Sequence, residues 1–254
     1  MSSEPRPSEL SLVFAGGGAV GIAWHLAVVE GLRSFGFDVD AAPALGTSAG
    51  SWACAALRLG IGFDEFATIG DINVPDRRPD ALAGIARSLM GDGRVDNVTI
   101  STVELRRMRR HLHDGSSHPI ADLVAASSAV PGLFSPHHLD GVAHVDGGVR
   151  SMASADLAAP AALLVASLPI AGPLFGPVGR IMESTSRSAL ARWRRRTGGD
   201  TLVLRPGRTF ASAVGFRPNA MFDVTLACRL YPIGYDTVCR RLDSRLSARA
   251  LLVA

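Results

Sequence analysis

The chain contains no lysine, so all 26 basic residues among its 254 are arginine. Against 23 acidic residues they leave a formal charge of +3. That balance is too mild for a nucleic-acid binder, which needs a basic stripe and a matching reader motif. Cysteine is scarce as well. Cys54, Cys228 and Cys239 are odd in number and far apart. This spacing excludes a disulfide framework and a cysteine metal cluster, and suits reduced intracellular thiols. No uninterrupted apolar run reaches the roughly 18 residues of a membrane span. The longest candidate, residues 158–168, is broken by Pro160. The first ten residues are polar, hold two prolines and lack the pattern of a signal peptide. A soluble, cytoplasmic protein is expected, with no internal repeat and no linker. The expected organisation is a flexible segment at 1–9 followed by a single domain at 10–254.

Hydrophobic residues make up 47% of the chain and charged residues 19%, enough apolar material for a large core. Residues 10–15 read as a buried strand, followed at once by three glycines and a mostly apolar helix at 20–35. Residues 41–45 read as a second strand and 48–59 as a second helix. Strand, turn and helix repeated in this way imply parallel strands joined by crossover helices. Further on, a weak helix is expected at 81–90, a helix with a charged face at 99–112 and a small-residue helix at 119–130. Asp140-Gly141 signals a hairpin between strands 134–139 and 142–146. A strand at 163–168, a helix at 179–196, a strand at 201–204 and two final helices complete the pattern. The stretch 60–93 is the least legible and reads as a lid or as an elaboration of the fold.

Three glycine-bearing motifs carry chemistry. Gly46-Thr47-Ser48-Ala49-Gly50 fits G-x-S-x-G at a strand-to-helix junction, where a tight turn lifts the serine hydroxyl out of the sheet. The rival reading makes Ser48 an ordinary helix N-cap. Gly16-Gly17-Gly18-Ala19-Val20-Gly21 places bared amides at a helix start, where they stabilise negative charge. The same six residues satisfy the dinucleotide fingerprint, with Asp38 or Asp40 about 20 residues on. The second motif argues against that reading, because a nucleotide fold gives no reason for Gly-Thr-Ser-Ala-Gly there. Asp146-Gly147-Gly148 sets a carboxylate at a strand end, as a general base for Ser48 or as a turn aspartate.

A fourth signal is an absence. Hydrolases of the ordinary α/β order run serine, acid, histidine. None of His25, His111, His113, His118, His137, His138 and His144 lies beyond Asp146. A triad would need an earlier acid such as Asp122 with His137, His138 or His144. Arg192, Arg194, Arg195 and Arg196 surround Trp193 at a helix end. They read as a packed tryptophan under a basic last turn, or as a patch for peripheral contact with a membrane. Arg106, Arg107, Arg109 and Arg110 read as a solvated helix face.

Taken in order, Gly16-Gly17-Gly18, Gly46-Thr47-Ser48-Ala49-Gly50, the run from Ala126 through Pro131 to Phe134, and Asp146-Gly147-Gly148 resemble the four blocks of the patatin-like phospholipase family. The resemblance spans roughly residues 10 to 210 and is weakest at 60–115. It implies a three-layer α/β/α sandwich with a mostly parallel central sheet. It also implies a Ser–Asp dyad without histidine, with Ser48 as nucleophile, Asp146 as base and oxyanion-hole amides at Gly16, Gly17 and Gly18. Gly21, Gly46, Gly50, Gly147 and Gly148 support the motifs, and residues 126–131 border the site. The implied substrate is a lipid or other acyl ester, hydrolysed without metal, cofactor, nucleotide or nucleic acid. Many relatives carry Arg or Lys where this chain has Val20, which removes a charge near a phosphate or oxyanion. The alternative is a non-catalytic lipid-binding or regulatory protein of the same fold.

Overall fold

A computed structural model describes residues 8–215 and 218–253. Eight strands among these residues form one mixed sheet between two layers of helices. The strands are β1 (Ser8–Phe14), β2 (Ala44–Thr47), β3 (Val98–Glu104), β4 (Arg109–Asp114), β5 (His137–Leu139), β6 (Val142–Asp146), β7 (Ala161–Ser167) and β8 (Asp200–Leu204). The helices are α1 (Gly18–Ser34), α2 (Ala49–Leu59), α3 (Phe63–Ala67), α4 (Ala81–Met90), α5 (Ile120–Ser128), α6 (Gly176–Thr197), α7 (Arg208–Val214) and α8 (Val224–Val253). The strand order is β5-β6-β3-β2-β1-β7-β8, with β4 paired separately to β3. Pairs among β8, β7, β1, β2 and β3 are parallel, and β4, β5 and β6 join antiparallel.

The layers follow from the two-residue period of a strand buried on both faces. Along β1, Leu10, Leu12 and Phe14 enter one core with α1, α2 and α8, whereas Val13 and the following Ala15 enter a second core under α6. Strand β7 repeats this, with Val165 on the first side and Leu164 and Ala166 on the second. Trp24 and Phe210 meet edge to face in the first core, 5.6 Å between ring centroids. Trp193 is fully buried in the second, and its Nε1 donates to the Ala158 carbonyl at 3.2 Å. The packed-tryptophan reading of the basic helix end therefore holds, and Trp193 is not part of a surface patch.

The expected helix at 99–112 is absent. Val98–Glu104 is a strand, residues 105–108 turn with Met108 at φ 50°, and Arg109–Asp114 returns antiparallel. The β-branched run Val98-Thr99-Ile100-Ser101-Thr102-Val103 overrides the helical look of the arginine tract. That tract instead forms the turn and an edge strand whose charges blunt the edge. Residues 8 and 9, assigned to a flexible start, lie in β1, and residues 1–7 fall outside the described range. Asp140-Gly141 does make the two-residue hairpin. Leu139 pairs with Val142, and both turn residues have positive φ, 48° and 76°. No described helix is long and apolar enough to cross a membrane.

Candidate active site

Strand register brings the motifs together. Phe14 at the end of β1 lies beside Gly46 near the end of β2, so the glycine loop and the Ser48 turn emerge as neighbours. Thr47 pairs with Ser101 of β3, and the next residue, Thr102, pairs with Asp146 of β6. Because β4 pairs along the other edge of β3, β2 and β6 share one edge, and Asp146 comes next to the Ser48 turn at the carboxyl ends of the parallel strands, where α/β sheets place their crevice.

Ser48 occupies the N-cap position of α2 with φ 53° and ψ −123°, a conformation that costs a side-chain-bearing residue of order 1–3 kcal/mol. Its side chain makes no capping hydrogen bond, so the N-cap reading does not describe it. The turn is held by its backbone instead. The Ser48 amide donates to Ser127 Oγ at 2.9 Å, and Ser127 Oγ donates to the Ser101 carbonyl at 2.8 Å. Ser51 Oγ donates to the Ser48 carbonyl at 2.6 Å. Gly50 makes this junction possible, because a methyl group there would land on the Phe14 carbonyl oxygen.

Asp146 is 5% exposed, and burial pushes its carboxyl up to about 6, opposed by hydrogen bonds from the Ser48 side chain and the Gly148 amide. The Gly148 amide lies 2.6 Å from Oδ1, so Asp146 also caps the 3-10 turn Gly147–Val149. The turn-aspartate role and a place beside Ser48 thus coexist in one side chain. Asp146's own amide donates to the Ala129 carbonyl at 3.0 Å. The block at 126–131 therefore ties down both halves of the pair, Ser127 holding Ser48 and Ala129 holding Asp146. Ser128 adds a third tie by accepting from Trp52 Nε1 at 3.0 Å.

The glycine loop is divided in its uses. The Gly16 amide is already engaged, donating to the Met152 carbonyl at 2.9 Å. Of the expected trio, Gly17 and Gly18 line the cavity beside Ser48 and Ala49. Gly18 opens α1 at φ 63°, and first-turn amides have no partner within their own helix. A methyl group at Gly18 would strike the Met221 carbonyl. Gly21 packs at the start of α1 against Ala49 and Pro169. Gly46 and Gly147 sit against backbone, that of residue 50 and of Ser101.

Sequence reasoning missed His25. It is fully buried, with Nδ1 2.7 Å from Ser167 Oγ and Nε2 2.7 Å from the Ala15 carbonyl. Burial holds it neutral, with its pKa lowered to about 3, and it anchors the residue just before the glycines. Its only signal in the sequence was a histidine on an otherwise apolar helix. Of the triad candidates, His138 is exposed on β5, and the other two have partners other than Ser48. His137 bridges Asp80 and Asp122 at 3.2 Å each, and His144 Nδ1 is 2.8 Å from Thr102 Oγ1. Val20 is fully buried in the first core. No group of three or more metal-ligating side chains occurs among the described residues.

Ser48 and Asp146 open into a cavity of about 310 Å³. Its wall is apolar, with Trp52, Leu82, Val130, Phe134, Met221 and Phe222 among the contributors. Within that wall Asp146 is the one ionisable group among the described residues. Such a surface suits an apolar ligand group.

The family profile for patatin-like phospholipase matches residues 77–159, which hold the block at 126–131 and Asp146 but not Ser48. Uncharacterized NTE family proteins of Mycobacterium bovis and Mycobacterium tuberculosis are each 28% identical, over 80% of this chain and 58% of theirs. The chain thus spans a little over half the length of these curated relatives. Among solved structures, VipD from Legionella pneumophila covers 95% of this chain and 68% of that one, at 16% identity and a TM-score of 0.46. From the four sequence blocks, the helix-flanked mixed sheet and the matched profile, the chain is similar to the patatin-like phospholipases.

Proposed function

We propose that this chain hydrolyses lipid acyl esters through a Ser48–Asp146 dyad. The observation that carries the reading is the strained Ser48 turn, which spends no hydroxyl on capping and sets the side chain against a buried carboxylate at an apolar cavity. Ser48 Oγ attacks the ester carbonyl carbon while its proton passes to Asp146. The Gly17 and Gly18 amides stabilise the oxyanion at the start of α1. The intermediate collapses, and the leaving alcohol takes the proton back from Asp146. Water then gives its proton to Asp146 and attacks the acyl-serine, Ser48 recovers the proton, and the fatty acid departs.

A lone aspartate is ordinarily a weak base, and burial up to about 6 brings it nearer to its task. Labelling by a fluorophosphonate probe tests the reading directly. Wild-type protein is expected to label at Ser48 and to cleave p-nitrophenyl esters. Ser48→Ala is expected to lose labelling and at least about 10³-fold in turnover. Unlabelled wild-type protein, or full turnover in the variant, would overturn the dyad.

A further inference from the structure

A second concavity lies beside the first. Within the segment that follows Asp146, Gly148, Val149 and Met152 line the cavity at Ser48, while Arg150 and Ser151 line a groove of about 870 Å³. The two share this short stretch of backbone as a common wall. The groove is lined by Arg107, Arg109, Arg110, Arg150 and Arg192, with Asp156 as the carboxylate in its lining. Arg110 occupies Asp156 through two contacts at 3.0 and 3.2 Å, and Arg192 approaches the same group at 3.7 Å. Arg107 leans on Glu104 at 3.4 Å but stays 66% exposed, and Arg109 and Arg150 are exposed at the rim. Five guanidinium groups against one lining carboxylate leave a local excess of positive charge, although the whole chain is only +3.

The groove is also apolar at its edge. Met108 is 42% exposed and Leu157 41% exposed, both in its lining, and Val149 is 41% exposed at the junction with the cavity. Guanidinium groups interleaved with exposed aliphatic side chains match the two layers of a bilayer interface, phosphate above and acyl chain below. A soluble anion would gain nothing from the aliphatic groups. The turn at 105–108, which carries Met108 and Arg107, is held between two paired strands, so this surface is presented in a fixed geometry.

We propose that this arginine groove docks the phosphates of an anionic lipid surface, setting the mouth of the neighbouring cavity against the bilayer. The proposal goes beyond the hydrolase reading and is tested without turnover, so the two fail separately. The experiment is co-sedimentation with vesicles of pure phosphatidylcholine and with vesicles that also contain phosphatidylglycerol. Wild-type protein is expected to sediment with the anionic vesicles and to be released by salt. Arg107→Glu with Arg109→Glu is expected to weaken that binding at least about tenfold while remaining folded by circular dichroism at the temperature of the assay. Arg194→Glu with Arg195→Glu, the same charge change on an exposed part of α6 outside the groove, is expected to retain most of it. Equal loss in both pairs would show a net-charge effect and overturn the site. Indifference to phosphatidylglycerol would overturn it too, as would binding of inorganic phosphate with no affinity for vesicles.

Discussion

The Asp146 carboxyl sets two opposed demands on one residue. As the proposed base it works only when deprotonated, so kcat/KM is expected to fall as pH drops through about 6 and to level off above it. A pH–rate profile on a soluble ester checks this, and a rate unchanged down to pH 4 would exclude Asp146 as base. The same shift acts on stability with the reverse sign. The folded carboxyl binds its proton more tightly than an unfolded one near 3.9, so the folded state holds more protons between those values. Stability therefore declines as pH rises from about 4 through about 6, and the buried charge is a standing cost at neutral pH. Asn at this position can still accept from the Gly148 amide without that charge. Asp146→Asn is expected to abolish turnover yet raise stability at pH 8 by roughly 1–3 kcal/mol, read by denaturant unfolding. A destabilised variant would mean that the carboxylate is already satisfied in place.

At the scale of elements, the site is a set of junctions at which strands hand over to helices under steric limits. The β2–α2 junction needs Gly50 because α2 crosses the end of β1 at backbone contact. The β1–α1 junction needs Gly18 because its φ is positive and the Met221 carbonyl covers it. These two requirements predict different phenotypes. Gly50→Ala forces α2 off β1 within the core and is expected to leave little folded protein, measured by circular dichroism. Gly18→Ala strains one loop residue at the cavity rim. It is expected to keep the fold while cutting turnover by about 10²–10³, the usual cost of one displaced oxyanion donor. Retained activity in folded Gly18→Ala would remove that loop from the mechanism.

For the whole molecule, the cavity is assembled from segments far apart in sequence. Ile22 comes from α1, Trp52 from α2, Leu82 from α4, Phe134 from the turn before β5, and Met221 and Phe222 from the 3-10 turn before α8. Their common product is an apolar wall, and its size should set the acyl chains accepted. Leu82→Trp fills part of that wall at a site away from the dyad. It is expected to lower turnover of long-chain p-nitrophenyl esters at least about tenfold relative to the butyrate, with probe labelling at Ser48 retained. An unchanged chain-length profile would show that the acyl group lies elsewhere.

Much of this was legible in local sequence. The glycine turns, the Ser48 pentapeptide, the Asp140-Gly141 hairpin and the helix at 81–90 depend on neighbours a few residues away, and their residue types declare them. The helical look of 99–112 misled because arginine suits helices and turns alike, and only pairing of β3 with β2 and β6 along one edge and with β4 along the other made that segment two strands. The shared use of Gly16, Gly17 and Gly18 was equally invisible, since the acceptor for Gly16 is Met152, 136 positions away. So were the roles of Ser127, Ala129 and His25. The sequence by itself determined which residues are able to do chemistry, because backbone freedom and side-chain type are local properties. Only the tertiary structure decided which amides are already occupied, which carboxyl is desolvated and which arginines gather in one groove. Those properties belong to through-space neighbours that strand register and burial bring together.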